Sequence, residues 1–195
     1  MLGARMREKK RIITLAGKPG SGKSTTARLL AEALGYDRFS SGDLFRSIAR
    51  ERGIDINTIN VLAETEREID HAVDERLRTI GERDDALIID SRLAWHWMPQ
   101  SFRVYLDLDL EVAAARIISH MDEERRAVEH VPDSPAAYAQ MLKDRLASET
   151  KRYQTLYQVN PYNPENYDLV IDTGSTEPST VAERVLHTYQ DWLTR

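Results

Sequence analysis

Apolar runs alternate with stretches of helical spacing along this chain, and the alternation sets out most of its elements. Ile12 to Ala16 reads as a buried strand. It is followed by a glycine-rich loop and by Ala27, Leu29, Leu30, Ala33 and Leu34, which fall on one face of a helix that starts near Gly22 and stops at Gly35. Arg38 to Ser41 is a short second strand, and Ser41 or Asp43 caps a helix running to about Gly53. From Asn57 to Arg83 the pattern is helical and highly charged. Its apolar positions, Ile59, Leu62, Ile69, Val73, Leu77 and Ile80, form one narrow stripe, which predicts surface helices outside the core. Ala86 to Asp90 and Phe102 to Leu108 are further strands. A helix over Leu110 to His120 leads to a charged, turn-rich passage, Asp122 to Pro135, expected to be a mobile loop. A long helix from Pro135 to Tyr157, a break at Pro161 to Pro164, a fifth strand at Asp168 to Asp172, the turn Thr173 to Ser175 and a helix from about Glu177 complete the chain. Strands that alternate with helices predict an α/β protein with a parallel sheet.

The loop Gly17-Lys18-Pro19-Gly20-Ser21-Gly22-Lys23-Ser24-Thr25 matches the pattern GxxxxGK[ST] between a strand and a helix. Glycines at 17, 20 and 22 let successive amides turn inward on a polyphosphate, and the N-terminus of the following helix adds its positive dipole. Lys23 adds a point charge, and Ser24 is placed to ligate the magnesium that accompanies a nucleotide. Asp90 ends a strand as a carboxylate that holds magnesium directly or through a bound water would, with a strand-end helix cap as the lesser alternative. Ligands of open parallel sheets sit beyond the carboxyl ends of the strands. The loop, Ser41, Asp90, Arg92 and Thr173 to Ser175 all lie there.

At 195 residues, with 41% hydrophobic content, the chain fits one domain with a sizeable core. Its net charge of −5 disfavours a general nucleic-acid binder and leaves room for a local anion site. There is no cysteine, no signal-peptide pattern and no run of about 18 apolar residues, so a soluble cytoplasmic protein without membrane contact is expected. The basic start, Met1 to Arg11, reads as a solvated tail, and the histidines at 71, 96, 120, 130 and 187 never fall at zinc-ligand spacing.

Arg46 and Arg92 each follow a strand end by a few residues, which suits a second anionic ligand held by guanidinium forks. On the long helix Arg145, Glu149 and Arg152 share a face, as a ligand-binding set or as a solvated ion-pair ladder. Leu93, Trp95, Trp97 and Met98 form a cluster that suits either the wall of a base pocket or packing in a core or interface.

Taken in order, the phosphate loop, the Ser-Gly-x-x-[FY]-Arg segment at Ser41 to Arg46, the arginine two residues past Asp90, the Arg-x-x-x-Glu-x-x-Arg-Tyr run at Arg145 to Tyr153, and Tyr167 to Thr173 resemble the cytidylate kinase family, particularly its short archaeal-type branch. The likeness covers about residues 11 to 190. It implies a P-loop NTPase three-layer fold with a five-stranded parallel sheet, a monophosphate-binding insertion near 42 to 85 and a lid near 116 to 145, within one domain. It further implies that Ser41, Arg46 and Arg92 hold the acceptor, that Glu149 and Arg152 contact its nucleoside or phosphate end, and that Arg116 and Arg145 approach the transferred phosphoryl group. Gly17, Pro19, Gly20, Ser21, Gly22, Lys23, Ser24 and Thr25 would bind ATP, with Mg2+ at Ser24 and Asp90.

Two positions depart from the family. Ser91 stands where a glycine usually precedes the arginine, and Ile117, Ile118, Ser119 and His120 follow Arg116 where further arginines are usual, with Arg125 and Arg126 displaced. The expectation is an ATP- and magnesium-dependent kinase for a pyrimidine nucleoside monophosphate, CMP or dCMP, acting as a monomer or homodimer. The same fold could serve AMP or a non-nucleotide alcohol, for which Asp43 would be the base to test. A nucleotide-gated switch is the rival from another class; the guanine-reading [NT]KxD segment is absent.

Overall fold

The computed structural model describes residues 10–54, 56–63, 65–121 and 131–195, without the side chains at 56, 57 and 60. Five strands, β1 (Ile12–Gly17), β2 (Asp37–Ser40), β3 (Leu87–Asp90), β4 (Phe102–Asp107) and β5 (Leu169–Asp172), form one parallel sheet in the order β2-β3-β1-β4-β5. The helices are α1 (Lys23–Leu34), α2 (Ser41–Glu51), α3 (Ile56–Leu62), α4 (Arg67–Arg83), α5 (Ala94–Trp97), α6 (Leu110–His120), α7 (Pro135–Tyr157) and α8 (Pro178–Thr194), with a 3-10 turn at Pro164–Asn166.

Every residue of β1 is buried, as a central strand covered on both faces requires. Ile13 and Leu15 join Ile88, Val104, Leu106 and Ile171 on one face, where α1 and α8 cover them with Leu30, Val185 and Tyr189. On the other face Ile12, Leu87 and Ile89 meet Val73, Leu77 and Ile80 of α4 and Met98. Ala16 and Tyr105 pack on Trp95 and Tyr167, and α6 lies against α7 through Ala113, Ala114, Tyr138 and Leu142.

The charged stretch after α2 differs from its expected form. It divides into α3 and α4, and its apolar stripe is core: Ile59 is 0% exposed, and Ile69 and Leu77 are each 1% exposed. A stripe one residue wide suffices because Val73, Leu77 and Ile80 pack on Ile12, Leu87 and Ile89 of the sheet while Ile59 and Ile69 pack with Ala49 and Ala63, and each aliphatic side chain buried this way contributes about 1.5–3 kcal/mol. The cap of α2 is Ser40, whose Oγ accepts from the Asp43 amide, rather than Ser41 or Asp43. The short α5 carries no amphipathic period and was not expected. α1 begins at Lys23, just past Gly22, and ends at Gly35 in the left-handed conformation, as its glycine signals foretell. The tail over residues 1–9, Arg125, Arg126 and His130 lie outside the described residues.

Candidate active site

The loop between β1 and α1 is shaped by its glycines. Gly17 has φ 148° and passes so close to β4 that a Cβ there would stand 2.2 Å from the Leu106 carbonyl oxygen. Gly22 has open space around it but φ 83°, so its backbone rather than its surroundings demands glycine. The Lys23 ammonium donates to the carbonyls of Gly17 at 3.0 Å and Lys18 at 2.8 Å. Burial lowers its pKa to about 8, against the opposing pull of Asp90. Lys18 pairs with Asp107 at 2.8 Å on the β4 side. Ser24 Oγ donates to Asp90 Oδ2 at 2.7 Å, although the two residues belong to α1 and β3. A hydroxyl and a carboxylate converging at the end of the loop are hard oxygen donors of the kind magnesium takes, so these residues fit the ion that a nucleotide brings.

Pro19, Gly20, Gly22, Lys23, Ser24 and Thr25 line one wall of a cleft of about 880 Å³. Ser41, Arg46, Asp90, Arg92, Arg116, Arg145 and Gly174 to Pro178 line it as well. A smaller pocket of about 50 Å³ adjoins the cleft; Ser41, Ser91, Arg92, Arg145, Glu149 and Arg152 line it together with Asp70 and Asp74 of α4. The strand ends thus bring the loop, Ser41, Arg92 and the α7 triplet to one place. Gly17 and Ser21 lie beneath the surface of the loop, outside the cleft lining. Arg46 reaches the rim, where it pairs with Asp43.

The α7 triplet is not a solvated ladder. Glu149 is 1% exposed and holds two arginines at once: Arg145 Nε lies 3.0 Å from Oε1 and Arg92 Nε lies 2.8 Å from Oε2. Burial pushes the Glu149 carboxyl up, but Arg92, Arg145 and the Tyr162 hydroxyl outweigh it and bring it down to about 2. Arg92 stays protonated for the same reason: burial works against its charge, and Glu149 and Tyr162 more than restore it. One turn further along, Arg152 Nε stands 3.0 Å from Asp70 Oδ2, with both side chains about nineteen-twentieths buried. Burial lifts the Asp70 carboxyl to about 6 despite Arg152. Asp74 accepts from Trp97 Nε1 at 2.9 Å and from the Tyr157 hydroxyl, which ties α4 to α5 and α7.

Arg116 does not face this cluster. Its guanidinium bonds the carbonyls of Gly20 at 3.2 Å, Thr173 at 2.9 Å and Gly174 at 3.2 Å, joining the phosphate loop to the turn after β5. Ser91 is buried, donates its amide to Leu15 at 3.0 Å and accepts from the Leu93 amide through Oγ. Trp95 is core, donating Nε1 to the Arg92 carbonyl at 2.9 Å, while Trp97 carries Arg78 over its ring at 3.8 Å. Three site residues had no sequence signal. Asp70 and Asp74 look like ordinary charges of a solvated helix face, and Tyr162 falls in a segment legible only as a break.

A parallel sheet in this order, with a GxxxxGK[ST] loop after its central strand and a second charged pocket beside the loop, defines a P-loop phosphotransferase of the nucleoside monophosphate kinase type. The chain belongs to the cytidylate kinase-like family, whose model matches residues 12–175. Among its relatives, the cytidylate kinase of Halobacterium salinarum is 35% identical over 178 residues, spanning 90% of this chain and 87% of that one. The cytidylate kinase of Natronomonas pharaonis is 38% identical over 173 residues, 87% and 84% of the two chains. Of solved structures, a shikimate kinase from Bacteroides thetaiotaomicron has a TM-score of 0.61 at 13% identity, over 94% of this chain and 98% of that one. The shikimate kinase from Acinetobacter baumannii in complex with shikimate has 0.57 at 21%, over 94% and 95%. At such identities the likeness is one of fold. Among the described residues, no helix is long and apolar enough to cross a membrane.

Proposed function

We propose that the protein transfers the γ-phosphoryl group of ATP, with magnesium, to the phosphate of a pyrimidine nucleoside monophosphate, CMP or dCMP. The observation that supports the reading is the second pocket: three arginines and three carboxylates gathered near Ser41, beside the cleft of the phosphate loop. A switch protein has no use for such a site. In this reading the loop amides and Lys23 hold the donor phosphates, and Ser24 and Asp90 hold magnesium. The chemistry magnesium supplies there is neutralisation of charge on the β and γ oxygens. Arg46, Arg92 and Arg145 draw in the acceptor phosphate and offset its repulsion by the donor.

An acceptor phosphate has a second pKa of about 6 and is a dianion near neutrality, so it attacks without a general base. An alcohol would need one, and the carboxylate to test for that role, Asp43, lines neither pocket and is engaged by Arg46. At the inner end of the pocket the Arg152–Asp70 pair sets a donor beside an acceptor. Cytosine offers the matching ring-nitrogen acceptor and amino donor, whereas uracil offers the reverse. On the same reading residues 42 to 85 serve the acceptor and the stretch from 116 to 145 is the lid, of which residues 122–130 lie outside the described residues.

The test is ADP release from ATP and magnesium with CMP, dCMP, UMP, AMP or GMP, and with no acceptor. Stimulation by CMP or dCMP at least tenfold above the other bases is expected. Equal turnover with and without acceptors would remove the reading.

A further inference from the structure

Arg92 can steer an acceptor phosphate only if its guanidinium is held in one plane, and the structure shows what holds it. The inner nitrogen, Nε, donates its one hydrogen to the Tyr162 hydroxyl at 3.1 Å and stands in an ion pair 2.8 Å from Glu149 Oε2. The same hydroxyl donates its own proton to Glu149 Oε2, so phenol, carboxylate and guanidinium close a triangle. Only a hydroxyl fills the third corner, because it must accept from Nε and donate to the carboxylate at once. With Nε and one carboxylate oxygen fixed, the terminal nitrogens of Arg92 remain for a ligand, and Arg92 lines both the cleft and the smaller pocket.

The segment carrying Tyr162 is itself pinned. The Tyr162 amide donates to Asn160 Oδ1 at 2.9 Å, Asn166 Nδ2 donates to the Asn160 carbonyl at 2.8 Å, and the Tyr167 hydroxyl donates to the Pro161 carbonyl. The ring packs near Ala16, Trp95, Tyr105 and Tyr167 under the strand ends. Burial and the adjoining carboxylate raise the phenol pKa well above its ordinary value, which keeps the donated proton in place.

We propose that Tyr162 is a positioning residue for the acceptor site, fixing the guanidinium of Arg92 through the shared Glu149 carboxylate. Tyr162 touches neither nucleotide; it acts on the acceptor through Arg92. This role rests on the proposed acceptor site and deepens it.

Tyr162→Phe removes one oxygen and keeps the ring. Steady-state kinetics on the folded full chain are expected to show KM for CMP raised about tenfold, with KM for ATP within twofold and kcat within threefold of wild type. Calorimetric titration of CMP without ATP should show the same loss in Kd. In an Arg92→Ala background the further loss from Tyr162→Phe should fall below twofold, because the two residues act as one unit. Unchanged CMP affinity in Tyr162→Phe, equal losses for ATP and CMP, or an undiminished tenfold loss in the Arg92→Ala background would each overturn the role while leaving the kinase reading standing. Absence of any acceptor-dependent turnover in wild type would overturn both.

Discussion

Lys23 spends its three donors partly on the backbone of its own loop, and the cost of burying its charge appears as a pKa near 8. Unfolded lysine holds its proton to about 10.5. Between these values the unfolded chain binds more protons than the folded one, so stability rises as pH climbs from 8 toward 10.5, and the penalty is fully present below 8. Triphosphate reverses the balance by placing negative charge beside the ammonium. At pH 8, where Lys23 is half charged, ATP binding is expected to take up about half a proton. Titration calorimetry in two buffers of different ionisation enthalpy measures it directly. Uptake should vanish in Lys23→Met, and uptake that persists in that variant would assign the titration to another group.

At the scale of elements, α4 fits closely against Met98, just after α5. A Cβ on Gly81 would meet Met98 Cγ at 2.6 Å, and Met98 is fully buried. Alanine is about 1 kcal/mol better than glycine inside a helix, while overpacking costs about 1–3 kcal/mol. The packing term wins here because Met98 has no exposed side to retreat to. Gly81→Ala is expected to lower Tm by about 2–6 °C. A raised Tm in thermal melts would mean that the Met98 pocket yields without cost.

The same element shows how far the chain could be read beforehand. The phosphate loop, the strand ends and the three α7 residues were legible because each depends on local rules: glycine conformations, a strand's apolar run, helical spacing. α4 was not. Its stripe of Val73, Leu77 and Ile80 has the width of a surface helix, and its packing on the sheet residues Ile12, Leu87 and Ile89 and on Met98 makes it core. Asp70 and Asp74 alternate with arginines and glutamates in the sequence, and their burial arises from α7 crossing over them, a contact between residues about 80 positions apart. Tyr162 escaped notice for the same reason. Its partners Arg92 and Glu149 are named by a motif, but no spacing links them to a tyrosine in a proline-flanked break.

For the molecule as a whole, the smaller pocket, proposed to take the acceptor, is assembled from α2, α4, the β3 end and α7, and its lining reaches from Ser41 to Tyr153 along the chain. A ligand there should therefore stabilise the entire protein. At about one hundred times its Kd, CMP contributes about 2.7 kcal/mol, equivalent to a rise in Tm of about 5–10 °C for a chain of this length. Arg92→Ala should abolish the shift with CMP and retain the shift with ATP. Loss of both shifts together in thermal melts would mean that Arg92 supports the fold rather than the acceptor.

The sheet order has a consequence for how such an enzyme can change. β1 sits at the middle, with β3 and β2 on one flank and β4 and β5 on the other. On the proposed reading, the acceptor side is built from the first flank and α7, and the donor side from the second flank and the turn at Thr173. The two halves meet at the phosphate loop, where α6 packs on α7, and at Arg116, whose bonds reach backbone carbonyls and so make no demand on neighbouring side chains. A lineage could therefore rewrite what is phosphorylated, by substitutions between residues 40 and 92 and along one helix face, while inheriting the phosphoryl source unaltered.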